Sequence, residues 1–481
     1  MSEEVSHLVE VRQGKLEELR TLGVDPFGGA FPGTKRIAEV LEGFEEGRKV
    51  RVAGRVMTHR DMGKSHFLHL FDGSGRMQIY LQKNGVPEES FAAFKRVDLG
   101  DFIGVSGSLF LTKTGERTIK VESFTFLSKA LHPLPDKWHG LADAEARYRQ
   151  RYLDLITSDE SRAVLLARSR VVREIRSFLE ERGFVEVETP MMQPVAGGAA
   201  ARPFKTHHNA LGIDLYLRIA PELYLKRLLV GGMDKVFELN RNFRNEGVSR
   251  KHNPEFTMLE VYWAYADYEA MAGLVEELIV HLARMLHGGT VLPERNGAPG
   301  IDLTPPWPRR RYRDCVREVA GADWFELTAE ERRERAVSMG VEIGVGLEDF
   351  EVTNQVFEKL VEARTRQPLF VTHLPKELVP LAKANREDPT VVDVYELLIN
   401  GQEISPGYTE LNDPLTQRQR LMEQAGEEVQ KVDEDFLLAL MHGMPPAGGL
   451  GLGIDRLVML LTGAESIRDV ILFPLMRPKE S

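Results

Sequence analysis

The stretch FRNEGVSRKHNPEF, residues 243–256, followed at once by TMLEVYW, turns the middle of the chain back on itself. Gly247, Ser249 and the pair Asn253-Pro254 interrupt any regular element, and a β-prone run resumes at Phe256, so the stretch predicts an antiparallel hairpin with a long polar loop. Strand side chains repeat every second residue, which puts Arg244 and Glu246 on one face. A planar guanidinium takes a phosphate or carboxylate with two hydrogen bonds, His252 can add a donor, and Phe256 can stack on a base. An isolated Arg-x-Glu is an ordinary exposed ion pair; only companions elsewhere in the chain make it a site.

Three stretches supply them. In VVDVYELLINGQEISPGYTELND (391–413), Glu396 and Glu403 flank Asn400-Gly401, a turn signal between apolar runs. The hairpin it predicts brings both acids to one face, where they suit a Mg²⁺ ion that keeps several waters and bridges phosphates. In GGLGLGIDRLVMLLTG (448–463), Gly449, Gly451 and Gly453 alternate. They clear one strand face for a flat ligand, and Arg456 points toward it from the start of an apolar helix. This is not a phosphate loop of the GxxxxGK[ST] kind. RIAPELYLKRLLVGG (218–232) sets Pro221 at a first helical turn and Glu222 at the positive helix end, where it could bind an ammonium. GGAAARPF (197–204) is flexible enough for its backbone to approach a ligand.

The rest of the chain frames these stretches. Residues 3–22 predict a lone, mostly solvated helix, and Arg48 to Leu127 holds five short alternating runs separated by turn signals, which predict a small closed barrel. Its first run is basic, with Arg48, Lys49, Arg51, Arg55, Arg60 and Lys64 facing one acid, Asp61. Phe67 and Gln78 could stack on and hydrogen-bond to a splayed base. Prolines and a dense charged run place a domain boundary near 130–145. The expected organisation is a leading segment 1–47, a barrel domain 48–140 and a larger mixed α and β domain 141–481. The larger domain should contain helices at 159–182 and 267–287, a Gly- and Pro-rich break at 287–312, and a helical insertion at about 313–365 with no evident function. A net charge of −11, from 62 basic and 73 acidic residues, does not announce a nucleic-acid binder, but phosphate contacts depend on local patches rather than on the whole-chain sum. The single cysteine, Cys315, excludes an intrachain disulfide and reads as a small core residue. With no apolar leader in residues 1–25 and no membrane-length apolar run, the expected location is cytoplasmic.

Taken in order, 159–192, 243–263 and 448–461 resemble motifs 1, 2 and 3 of the class II aminoacyl-tRNA synthetases. The resemblance is closest to the bacterial lysyl-tRNA synthetases and covers about residues 50–476. PLPDKWHGLADAEARYRQRYLDL (133–155) and VILFPLMRP (470–478) support the narrower reading. The resemblance implies an α+β fold, an antiparallel sheet flanked by helices, with an N-terminal all-β oligonucleotide-binding barrel, assembled as a homodimer. It implies that ATP, L-lysine and tRNA(Lys) are the substrates. Arg244 would bridge the lysine carboxylate and the α-phosphate, while Glu246, His252, Phe256 and Arg456 hold ATP. Glu396 and Glu403 would hold Mg²⁺. Glu222 and the backbone at Gly198 would take the α-amino group, and Glu260, Tyr262, Tyr408 and Glu410 would line the side-chain pocket. Phe67, Gln78 and Glu116 would contact the anticodon.

A substrate ammonium enters a partly dry site only if a carboxylate waits for it, which makes Glu410 the expected specificity residue. Three positions depart from the family pattern: Asp455 stands where many members carry glutamate, Pro406 where asparagine is usual, and Val379 where serine is common. Proline cannot donate the hydrogen bond that an asparagine would give the substrate carboxylate. An aspartyl- or asparaginyl-tRNA synthetase would share this architecture but would need a cationic or amide group in place of Glu410. A non-enzymatic tRNA-binding or regulatory descendant should have lost motif arginines or metal acids, and none is lost here.

Overall fold

The computed structural model describes residues 3–135, 143–199, 201–294, 297, 299–425 and 432–478, and the chain forms two compact units, 1–142 and 143–481. The expected boundary near 130–145 falls partly outside the described residues. The first unit opens with the helix Glu3–Thr21 and closes five strands into a barrel: β1 (Lys49–Asp61), β2 (Ser65–Phe71), β3 (Arg76–Gln82), β4 (Phe102–Leu111) and β5 (Arg117–Ser128), in the order β1-β2-β3-β5-β4. Alternation sends Val50, Val52, Leu68, Leu70, Ile79 and Val105 inward to a common core.

Two expectations need correction here. The first helix is not a solvated outlier. Leu16 and Leu19 are buried, and Arg12 donates to the carbonyls of Leu99, Ala130 and His132 at 3.1, 2.9 and 3.1 Å. Nor is the basic run simply a face open to phosphate. Arg48 donates to Gly43 O, Lys49 pairs with Glu122, and Arg51 and Arg55 lie over the rings of Phe31 and Phe102.

The second unit carries thirteen strands among its described residues: β6 (Val185–Glu186), β7 (Met192–Gln193), β8 (Lys205–His208), β9 (Ile213–Leu217), β10 (Lys235–Phe243), β11 (Glu255–Ala264), β12 (Val291–Leu292), β13 (Ile301–Asp302), β14 (Arg309–Arg311), β15 (Leu369–Thr372), β16 (Val394–Leu398), β17 (Glu403–Thr409) and β18 (Ala447–Gly453). Eight of them form one sheet in the order β14-β15-β16-β17-β18-β11-β10-β6, antiparallel except at its two ends. The Gly- and Pro-rich segment 287–312 is thus more than a break, since it supplies the edge strand β14.

The two faces of the sheet differ in kind, and this difference positions the site. Phe237, Leu239, Leu259, Val261, Leu450, Leu452, Tyr395 and Leu397 form one apolar face, packed on the helices Asp159–Glu180, Tyr268–His287 and Ile454–Thr462. The opposite face takes the alternate residues. In register these are Glu260 beside Gly451, Tyr262 beside Gly449, Tyr408 beside Gly449, and Glu396 beside Pro406. Toward its ends this face packs in smaller apolar clusters through Val236 and Val394, and the acid- and glycine-lined stretch between them is what is left to bind something.

Among the described residues the helices Tyr312–Ala320, Ala329–Ser338 and Asp349–Leu360 occupy the expected insertion, packed on the sheet through Val352, Val356, Val371 and Val394. Cys315 is free and buried in that cluster, and Val379 packs against it half-buried.

Candidate active site

Arg244 stands one residue past the end of β10, with its N–H bonded to Pro254 O at 2.8 Å. The Glu246 N–H turns back to Arg244 O at 2.9 Å, so this pair sits in a tight turn and does not share a strand face as the alternation predicts. The Arg244 guanidinium lies 5.2 Å from the centre of the Phe256 ring, and its buried Nε has no acceptor.

Arg456, in the first turn of the helix Ile454–Thr462, donates to Glu403 O at 2.9 Å and contacts His252 Nε2 at 3.0 Å. An arginine can only donate, so Nε2 accepts and the ring proton sits on Nδ1, 2.9 Å from Ser249 Oγ. Burial, then the charge of Arg456, holds His252 below its ordinary pKa. His252 therefore secures Arg456 here and does not present a free donor. Arg244, Glu246, His252, Phe256, Glu403 and Arg456 all line one cavity of about 220 Å³.

The hairpin at Asn400-Gly401 forms as expected, with φ of 55° and 72° at the two central residues, the left-handed pair that a tight β turn of this kind requires. It sets Glu396 and Glu403 near each other. Burial, then Glu403, Glu362 and Glu358, pushes Glu396 well above the usual carboxylate range. Glu403 is also raised by burial, against the pull of Arg456. Glu362 accepts from the Glu403 N–H at 3.2 Å. Sequence reading missed Glu358 and Glu362, because a charged helix reads as a solvated face. Among the described residues no three metal-ligating side chains converge on one point. A pair of oxygen donors held in mutual repulsion nonetheless fits Mg²⁺, which is bound through one or two carboxylates and completes its shell with water and phosphate.

Glu260 links this cavity to a buried acidic pocket, because it lies in the field of Arg244 on one side and of Glu222 on the other. Burial, then Glu222, pushes Glu260 up to about 8. Tyr262 Oη donates to Glu260 Oε2 at 3.1 Å, and Tyr408 Oη donates to Glu222 Oε1 at 2.8 Å. Gly198, with φ +86°, lies where a Cβ would touch Glu222 Cβ at 3.3 Å. Glu410 is 1% exposed, and its Oε1 has no hydrogen-bond partner. Gly449 serves Glu410 directly. A Cβ at 449 would stand 2.0 Å from Glu410 Oε1, so this glycine clears room for the protein's own carboxylate and not, as the alternation suggested, for a ligand.

Sequence reading also missed Lys226. It is fully buried, donates to Glu222 Oε1 at 2.7 Å and lies 2.5 Å from Glu410 Oε2.

On the barrel, Phe67 is half-buried with its ring 4.7 Å from that of Tyr80. Gln78 is buried and donates to Thr118 Oγ1 at 2.9 Å, so its amide is already engaged. Glu116 is exposed and 2.9 Å from His69 Nε2. Register brings Phe67, His69 and Gln78 onto one outward face of β2 and β3 beside Thr118 of β5, and Glu116, one residue before β5, joins them through its contact with His69. His69 was not singled out from the sequence.

A family model described as tRNA synthetases class II (D, K and N) matches residues 143–477, and one described as an OB-fold nucleic acid binding domain matches residues 50–127. A lysine–tRNA ligase of Pelotomaculum thermopropionicum is 54% identical over 492 aligned residues, covering 99% of this chain and 96% of its own. Lysine–tRNA ligases of Carboxydothermus hydrogenoformans and Moorella thermoacetica are each 51% identical, over 99% of both chains and 98% of both chains respectively. With both units matched in order and such relatives spanning almost the whole sequence, the chain belongs to the lysine–tRNA ligases of the class II aminoacyl-tRNA synthetases.

Proposed function

We propose that the arginine-lined cavity and the acidic pocket are the two ends of one site that activates L-lysine with ATP. One observation carries this reading: two charged side chains each have a buried atom without a hydrogen-bond partner, Arg244 Nε lacking an acceptor and Glu410 Oε1 lacking a donor. Such groups are costly unless a ligand pairs them. A substrate with a carboxylate at one end and an ammonium at the other pairs both.

In this reading Glu222 and the backbone at Gly198 take the α-ammonium, Glu410 with Tyr262, Tyr408 and Glu260 takes the side chain, and Arg244 grips the carboxylate against the α-phosphate. Phe256 stacks on adenine while Arg456, His252 and Glu246 orient the triphosphate. The lysine carboxylate is itself the nucleophile at the α-phosphorus and pyrophosphate leaves with the broken P–O bond, so no general base is needed. The protein's contribution is alignment, together with positive charge from Arg244 and Arg456 where negative charge accumulates. Glu396 and Glu403 would hold Mg²⁺, which supplies further charge neutralisation at the phosphates. The 3′-terminal ribose of tRNA(Lys) then takes lysine from the adenylate, releasing AMP. The barrel face at Phe67, Gln78 and Glu116 would contact the anticodon, with Phe67 as the stacking surface.

A homodimer is part of the proposal. It is supported by the large side chains of Tyr152, Leu166 and Phe473, which are left exposed on the second unit. Among the described residues no helix is long and apolar enough to cross a membrane, in keeping with a cytoplasmic enzyme of translation.

The test is ATP–pyrophosphate exchange across a panel of amino acids. Lysine should drive exchange best. Exchange driven best by aspartate or asparagine would remove this reading, since an anionic side chain would meet Glu410 with repulsion and a neutral amide would bring it no cation.

A further inference from the structure

Among the described residues, Lys226 is the single ammonium in contact with the acids of the pocket. It sits one helical turn beyond Glu222, and its whole side chain is buried. Three carboxylates face this space: Glu222 on the helix Glu222–Val230, Glu260 on β11, and Glu410 just past the end of β17. Of the other charged neighbours, Arg218 and Glu238 pair with each other at 2.6 Å, and Arg244 acts on Glu260 from the nucleotide side. Burial keeps the hydroxyls of Tyr262 and Tyr408 protonated, well above their ordinary range. Three carboxyl groups share one internal ammonium, and burial pushes Glu260 and Glu410 toward holding their protons.

We propose that Lys226 is a positioning and specificity-determining residue: an internal counter-ion that holds Glu222 and Glu410 charged and oriented, so that the pocket accepts the two ammonium groups of a diamino acid. The inference rests on the lysine-activation reading above and assigns a role to a side chain that the reading leaves unused. The geometry gives the reason. Lys226 Nζ stands between Glu222 Oε1 and Glu410 Oε2, at 2.7 and 2.5 Å, while Glu410 Oε1, over Gly449, has no hydrogen-bond partner.

Without that ammonium, two buried carboxylates would be left with no internal cation between them, and each would hold a proton more readily. Burial, opposed by Lys226, already pushes Glu410 upward, and removing the opposing charge raises it further. A protonated Glu410 offers a substrate ammonium no charge to pair with.

The experiment compares the full-length protein with Lys226→Met, Lys226→Gln and Lys226→Arg by lysine- and ATP-dependent pyrophosphate exchange from pH 6.5 to 8.5. In the Met and Gln variants the lysine KM should rise about 30-fold, the loss expected when one partner of a buried charge pair is removed. The ATP KM should stay within about twofold, a difference too small to signal a lost contact. The lysine KM of these variants should also fall with rising pH more steeply than in the parent, as their carboxylates regain charge. Arg, which keeps the charge, should restore lysine use in part, whereas Gln, which keeps only hydrogen bonding, should not. If the Met variant does not fold, the Arg and Gln pair still decides.

Lysine and ATP KM values rising together, a lysine pH profile unchanged from the parent, or equal behaviour of Arg and Gln would each overturn the proposal. Failure of the unmodified protein to exchange with lysine would instead overturn the reading on which it rests.

Discussion

Arg456 donates to the Nε2 of His252 across 3.0 Å, so the arginine expected to meet the nucleotide is held by a neutral imidazole rather than by a carboxylate. A carboxylate in that position would neutralise the guanidinium and compete with phosphate. The imidazole orients it and leaves its charge available.

This arrangement predicts a selective effect of His252→Ala. One hydrogen bond to a charged group is lost, worth about 1.5–3 kcal/mol, so the ATP KM should rise about tenfold. The lysine KM should hardly move, because His252 is not part of the acidic pocket. Because burial and Arg456 hold His252 below its ordinary pKa, it is neutral throughout the neutral range, and the ATP KM of the parent should be flat from about pH 7 to 8.5. Exchange kinetics with ATP varied at each pH test this. An ATP KM that rises or falls through pH 7 would mean a charged His252.

A second prediction concerns Glu396, raised by burial and then by Glu403, Glu362 and Glu358. Its pKa is higher in the folded state than in the unfolded chain. Folding is therefore unpenalised below the unfolded value, near pH 4.5, and loses stability as pH rises above it. Glu396→Gln removes that loss. In the absence of divalent ions the variant should melt higher than the parent at pH 9, by about 2 °C or more, and the difference should close toward pH 5. Mg²⁺ should raise the melting temperature of the parent more than that of the variant, while exchange activity falls in the variant. A variant that melts below the parent at every pH would show that Glu396 is structural.

The parts of this molecule legible in sequence are those where local chemistry dictates a unique geometry. Asn400-Gly401 adopts the left-handed pair its hairpin needs, and the alternating strands of residues 49–128 close the barrel their pattern implies. What stayed hidden depends on partners far along the chain. Lys226 lies in an apolar helix, where a lysine usually reaches for solvent, and it becomes a buried ion only because Glu410, from just past β17, joins Glu222 beside it. Asp455 looked like a shortened form of the family's glutamate. The structure gives it a job: it accepts from the Thr257 N–H at 2.8 Å and from Arg168 at 2.5 Å, joining β11 to the helices Asp159–Glu180 and Ile454–Thr462. No local pattern announces a contact 287 residues apart.

Gly449 supplies the sharpest test of the acidic pocket, because it lies against the side chains in question without being charged itself. It sits on β18 between Tyr408 of β17 and Tyr262 of β11, so the strand is held on both sides and cannot back away. A methyl group there would stand 2.0 Å from Glu410 Oε1 and 2.8 Å from the Tyr262 ring, so the carboxylate must give way. Gly449→Ala should therefore raise the lysine KM about tenfold or more, in line with overpacking costs of about 1–3 kcal/mol, and leave the ATP KM near the parent value. At Gly451, two residues along the same strand, an added methyl meets the flexible Met258 methyl at 3.2 Å and Pro406 at an ordinary 3.9 Å, and Gly451→Ala should keep lysine use far better. Equal loss of lysine use in both variants would mean that the strand as a whole is disturbed, and that displacement of Glu410 is not the cause.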